Sequence, residues 1–121
     1  MRRRFLLALA AGAPVLGAAL RAEAHAFLAS ASPPVGSTGP APSTVTITFT
    51  EAVEPAFSTI TVSNARGERV DSGEVSTAST DGRKLRVGLK PLGAGTYTVV
   101  WKITSVDTHK TEGTFTFTVS P

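Results

Sequence analysis

Five segments of this sequence alternate apolar and polar residues with a strict period of two, and a chain built that way folds as sheets. TVTITFT (44–50) sets Val45, Ile47 and Phe49 against threonines, and STITVS (58–63) sets Ile60 and Val62 the same way. KLRVGL (84–89) alternates Leu85, Val87 and Leu89 with Lys84 and Arg86. TYTVVWKITS (96–105) puts Tyr97, Val99, Trp101 and Ile103 on one side, and TFTFTVS (114–120) does so with Phe115, Phe117 and Val119. Successive side chains of a strand point to opposite faces, so each segment has one face for a core and one for water. β-branched and aromatic residues, which suit a pleated half-buried surface, dominate the apolar sets.

NARG (64–67), TDGR (80–83) and LGAG (92–95) separate these segments with the Gly, Asn and Asp that tight turns need. Further strands are expected in AFLASASP (26–33) and around Glu68–Val75, for a total of seven. SPPVGSTGPAPS (32–43) reads as a loop between the first two strands, and STASTDG (76–82) as a polar surface loop. Seven short antiparallel strands in about 100 residues predict an all-β, Greek-key, immunoglobulin-like sandwich or barrel.

Residues 1–24 read as an export signal that is cleaved. Arg2, Arg3 and Arg4 precede an apolar run, FLLALAAGAPVLGAAL (5–20), and Ala22-x-Ala24 supplies the small residues that a signal peptidase reads. The run is broken by Gly12, Pro14 and Gly17 and falls short of the about 20 residues a spanning helix needs. RRRFLL also resembles a twin-arginine signal, so the export route stays open between the two pathways. The domain boundaries expected are therefore 1–24 for the signal and 25–121 for a single domain.

Cleavage changes the electrostatics. The whole chain carries 12 Lys/Arg and 9 Asp/Glu, but four of the basic residues and one acid lie in the signal. Residues 25–121 hold eight of each, so the mature domain has no basic footprint for nucleic acid. It has no cysteine, and the single methionine, Met1, leaves with the signal. Thiolate and thioether metal sites are excluded, and any metal is held by nitrogen and oxygen.

Cleavage after Ala24 makes His25 the first residue, with an α-amine and an imidazole on one carbon. The amine and Nδ1 can close a six-membered chelate ring. The second histidine, His109, lies in SVDTHKTEG (105–113), two residues from Asp107, so both side chains share a side of an extended segment. If the N-terminal strand pairs near that edge, the four donors are the His25 amine, His25 Nδ1, His109 and Asp107. Three nitrogens and one oxygen in a square suit Cu(II), which stands highest among first-row divalent ions at such sites. Glu51, at the end of the second predicted strand, reads either as a solvated residue or as an acceptor orienting an imidazole or the amine from behind. Tyr97 and Trp101 read as core.

These residues resemble the CopC/PcoC family of periplasmic copper-binding proteins. The resemblance runs through HAFLASASPPVGS, VTITFTEAVEPAFSTITV (45–62) and GTYTVVWKITSVDTHKTEGTFTFTV (95–119). It implies one Cu(II) per chain on His25, Asp107 and His109, with Glu51 behind the ligands, and a seven-stranded Greek-key fold. It also implies a periplasmic role in copper resistance, storage or delivery without catalysis, and a CopD-type inner-membrane partner. Members commonly read Asp-Gly-His-Pro where this chain has Asp107-Thr108-His109-Lys110, so a different local turn between the two ligands is expected. Some carry a methionine-rich loop for Cu(I); this chain has none and resembles the Cu(II)-only subgroup. Two other readings use the same residues: a copper-dependent polysaccharide monooxygenase, and an adhesion or structural module with incidental histidines.

Overall fold

The structure, a computed structural model, describes residues 26–121. The expected signal and His25 lie outside the described residues. The alternating segments form strands, each turning its apolar set inward. In order they are β1 (Leu28–Ser32), β2 (Thr38–Gly39), β3 (Thr44–Phe49), β4 (Thr59–Ser63), β5 (Asp71–Thr77), β6 (Lys84–Leu89), β7 (Gly95–Thr104) and β8 (Lys110–Val119). A 3-10 turn, Pro55–Phe57, precedes β4. Among the described residues no helix is long and apolar enough to cross a membrane.

The strands make two four-stranded sheets, ordered β1-β3-β6-β5 and β2-β8-β7-β4. The fold is the β-sandwich that the alternation predicts. Val45, Ile47, Phe49, Leu85 and Val87 from the first sheet meet Ile60, Val62, Val99, Trp101, Ile103, Phe115, Phe117 and Val119 from the second. Phe49 crosses the layers to meet Trp101 edge-on, with ring centroids 5.3 Å apart, and Tyr97 stacks on Phe117 at 5.5 Å. Such pairs contribute beyond the area they bury.

Two strands differ from expectation. β2 is a two-residue strand inside the segment read as a loop, and it pairs parallel to β8. Its bonds are backbone ones, with Thr118 N donating to Ser37 O at 2.8 Å and Ser120 N to Gly39 O at 2.8 Å, so no side-chain alternation announces it. β8 begins at Lys110, four residues before the alternating TFTFTVS, because Lys110–Gly113 zip onto Trp101–Thr104 of β7. The connection between the two longest strands shrinks to residues 105–109.

Gly113 makes that early pairing possible. It stands opposite Trp101, and a Cβ there would lie 2.4 Å from Trp101 Cζ2 and 2.7 Å from Cε2. The indole lies across the glycine, and its packing cannot tolerate a methyl. Gly113→Ala is expected to cost about 1–3 kcal/mol, the usual range for overpacking a filled core. Urea melts followed by tryptophan emission check this, and an unchanged midpoint with unchanged emission would show that the indole has room.

The chain directions gather four segments at one end of the sandwich. Residues 26–27 lead into β1, 50–58 join β3 to β4, 78–83 join β5 to β6, and 105–109 join β7 to β8. Val53 N donates to Gly82 O at 2.9 Å and bridges Ser105, while Val106 N donates to Ala52 O at 3.1 Å. Backbone bonds therefore lace three of these loops together.

Candidate metal centre

Asp107 and His109 ride on the 105–109 connection, which is closed on itself. Ser105 N donates to His109 O at 2.9 Å and Thr108 N to Ser105 O at 2.9 Å. Thr108 has φ +74°, in the left-handed region that a β-branched residue enters only under constraint. This is where the resembled family carries glycine. The turn is the same kind a glycine would make, and Thr108 makes it with strain, its hydroxyl donating to Asp107 O.

The turn brings His109 Nδ1 within 3.2 Å of Asp107 Oδ1, with both side chains about half exposed. The chemistry of that pair fits a small divalent ion. Two N/O donors each about 2.0–2.2 Å from an ion and at right angles to one another lie about 3 Å apart. The carboxylate is kept ionised. The Ser105 hydroxyl, above all, holds the Asp107 carboxyl below the usual carboxylate range; burial, the next effect, pushes it the other way, and His109 adds to the lowering.

The N-terminal segment arrives at the same place. Thr111 Oγ1 donates to Ala26 O at 2.6 Å, and Ala26 is 1% exposed. Phe27 N donates to Thr50 Oγ1 at 2.9 Å, and Thr50 N returns a bond to Phe27 O at 2.8 Å. Glu51 follows Thr50 and is half-buried, next to Ala52, whose carbonyl takes the Val106 N–H. It therefore stands at the junction of the N-terminal and 105–109 segments. Among the described residues no three His, Asp or Glu groups converge, so Glu51 does not join Asp107 and His109 as a third ligand. A third His, Asp or Glu ligand here would have to come from outside the described residues.

Two hydroxyl residues of this cluster carry only a faint signal in the sequence. Ser105 continues the inward series Tyr97, Val99, Trp101, Ile103 with a polar residue and is 1% exposed. Thr111 occupies an inward position of β8, opposite Ile103, ahead of the apolar alternation.

Two grooves open on the surface. A groove of about 490 Å³ at the opposite end is lined by Asn64, Arg66, Val70, Pro91 and Tyr97 among others, a set without an imidazole or carboxylate. A second, of about 340 Å³, runs over the outer face of β4, β7 and β8 beneath Phe57.

Comparison with known proteins gives a family match. The family model of the CopC domain matches residues 28–120. Protein YobA of Escherichia coli is 39% identical over 80 residues, which are 65% of this chain and 64% of YobA, so the match spans just under two thirds of that relative. Copper resistance protein C of Xanthomonas campestris pv. juglandis is 35% identical over 84% of this chain and 85% of its own. The crystal structure of CopC from Methylosinus trichosporium superposes with a TM-score of 0.75 at 33% identity, covering 80% of this chain and 95% of that one. A family match over nearly every described residue, on a sandwich of the same shape, has one meaning: the chain belongs to the CopC domain family.

Proposed function

We propose that this is a periplasmic Cu(II)-binding protein serving copper resistance, storage or delivery. Residues 1–24 are the export signal, His25 opens the mature chain, and residues 25–121 form the copper-binding domain. One Cu(II) is the cargo, held by the His25 amine and imidazole, Asp107 and His109, with Glu51 an acceptor behind them. The reading includes no catalysis. A CopD-type inner-membrane copper protein is the partner that would receive the ion, and relatives named copper resistance protein C fit that role.

One observation carries the reading most: the Thr111 hydroxyl on the Ala26 carbonyl at 2.6 Å. Thr111 is two residues, about 7 Å of strand, from His109. A residue bonded to Ala26 has its Cα about 3.8 Å from that of Ala26. The donors that Asp107 and His109 lack are thus within a side chain's reach if the chain begins at His25. The ligand set contains no sulfur, so it favours Cu(II) over Cu(I).

Titrating Cu(II) into protein that begins at His25 tests this. One equivalent is expected to bind, with nitrogen hyperfine structure in its paramagnetic resonance spectrum. Emission of Trp101 is expected to fall, since Trp101 stands opposite Gly113, four residues or about 14 Å from His109. Thr111→Val keeps the side-chain shape and removes the hydroxyl. It is expected to weaken binding about 10-fold, as losses behind a ligand do. Protons compete for the imidazole nitrogens, so acid releases the ion. A protein that takes up no stoichiometric Cu(II), or whose spectrum lacks nitrogen coupling, is not the carrier described here.

A further inference from the structure

We propose that Ser105 is the positioning residue for Asp107, its buried hydroxyl holding the carboxylate in place for the ion. The inference rests on the Cu(II) reading above and adds to it a residue that neither touches the ion nor belongs to the ligand set. Its basis is the contrast between an exposed pair and a buried anchor. Asp107 and His109 are 45% and 55% exposed at their side chains, whereas Ser105 is 1% exposed. An exposed carboxylate in a five-residue connection samples several rotamers and loses that freedom on binding. A buried donor on the adjoining strand end removes the freedom beforehand.

Ser105 is itself fixed. Its backbone bridges Val53, its N–H donates to His109 O at 2.9 Å, and its carbonyl accepts from Thr108 N at 2.9 Å. The hydroxyl has one proton and two lone pairs. Asp107 Oδ1 and His109 O, the latter at 3.2 Å, both stand where the proton can go. The carboxylate wins, because a hydrogen bond to an ionised acceptor is about twice as strong as one to a neutral carbonyl. A lone pair then receives the His109 N–H, 3.3 Å away, which also leans toward Asp107 Oδ1 at 3.4 Å. Ser105 Oγ, His109 N and His109 Nδ1 all converge on the one oxygen, Oδ1.

The position explains the residue type. Ser105 continues the inward alternation of β7, where valine or isoleucine would bury apolar area and stabilise more. A hydroxyl in that slot is useful where its partner is polar, and the partner is Asp107.

The test is a double-mutant cycle on the mature protein, read by competition for Cu(II). Ser105→Ala is expected to weaken binding about 10-fold or more, the usual scale for a group behind a ligand. In an Asp107→Ala background the same change is expected to cost little, because the group it acts through is gone. Amide hydrogen exchange of metal-free protein is expected to be faster at His109 in Ser105→Ala, with the melting temperature little changed. Wild type that binds while Ser105→Ala binds equally well overturns the inference alone, as does an equal loss with and without Asp107. Wild type that binds no Cu(II) overturns the copper reading and this inference with it.

Discussion

Acetylating the α-amine of His25 is expected to abolish tight Cu(II) binding. The comparison is between protein beginning at His25 and the same protein with that amine acetylated. The modification leaves every side chain in place and converts one amine into an amide without supplying another. An amine nitrogen offers a lone pair; an amide nitrogen delocalises its own into the carbonyl and ligates poorly without losing a proton. The six-membered ring that joins the amine and Nδ1 of His25 disappears with it. Loss of a group behind a ligand already costs 10–100-fold, so loss of a ligand and its ring should exceed about 100-fold. His109→Ala should weaken binding on a comparable scale, while leaving the sandwich intact, because His109 is exposed. Competition with a chelator of known affinity measures both. Equal affinity of the acetylated and native termini would remove the amine from the ligand set. On the same chemistry the uncut precursor, in which that nitrogen is an amide, is expected to bind copper weakly, and the proposed site would form only once the signal is removed.

Much of the fold was legible because the core is built by alternation. Val45, Ile47 and Phe49 on β3 and Phe115, Phe117 and Val119 on β8 are buried as their spacing predicts. β2 was not legible, since its pairing uses backbone groups of Thr38 and Gly39 and needs no side-chain pattern. Nor was the early start of β8, where Lys110, Thr111, Glu112 and Gly113 show no apolar period. Their pairing follows from β7, whose Trp101 needs a glycine opposite. For the candidate site, the sequence points at Asp107 and His109, which the turn brings to 3.2 Å. It also points at Glu51, which stands at the neighbouring junction. It does not announce that Thr108 adopts a left-handed turn, nor that Ser105 and Thr111 spend inward positions on hydroxyls. Those facts depend on which strand ends meet, and a single strand's period carries no such information.

Asp71 shows the same limit at the other end of the sandwich, and removing it is expected to have the largest effect on stability. The segment 68–75 reads only as a weak strand, yet Asp71 turns its carboxylate inward at the start of β5. Oδ2 accepts from Val62 N of β4 at 2.8 Å, across from one sheet to the other. Arg69 closes on it from outside, Nε to Oδ2 at 2.7 Å and Nη2 to Oδ1 at 2.8 Å. Beside it Val70 N donates to Val62 O at 2.8 Å, so backbone and carboxylate together clip β4 to β5. Burial by itself pushes the Asp71 carboxyl upward, but the Arg69 guanidinium and the Val62 and Gly73 N–H groups outweigh it and hold it below its ordinary value. Asp71→Ala leaves a buried N–H without its acceptor and a guanidinium without its partner. A lost acceptor costs about 1–3 kcal/mol, more when charged. Arg69 is half exposed and can return to water, so about 2–3 kcal/mol is expected rather than the full cost of breaking a buried ion pair. For a domain of this size that is a fall of about 10–20 °C in Tm. The pH dependence has a definite sign. A carboxyl whose folded pKa is depressed stabilises fully above its unfolded pKa, about 3.9, and loses that contribution as pH falls through the lower folded value. The gap between wild type and Asp71→Ala should therefore be full at pH 7 and close progressively below about pH 4. A gap that persists unchanged in acid would mean that the side chain's shape, not its charge, clips the sheets. Because Asp71 pairs with Leu89, at the far end of β6 from the 105–109 turn, folded Asp71→Ala should still bind Cu(II) as wild type does. Stability and metal binding would then be separable properties of the two ends of one sandwich.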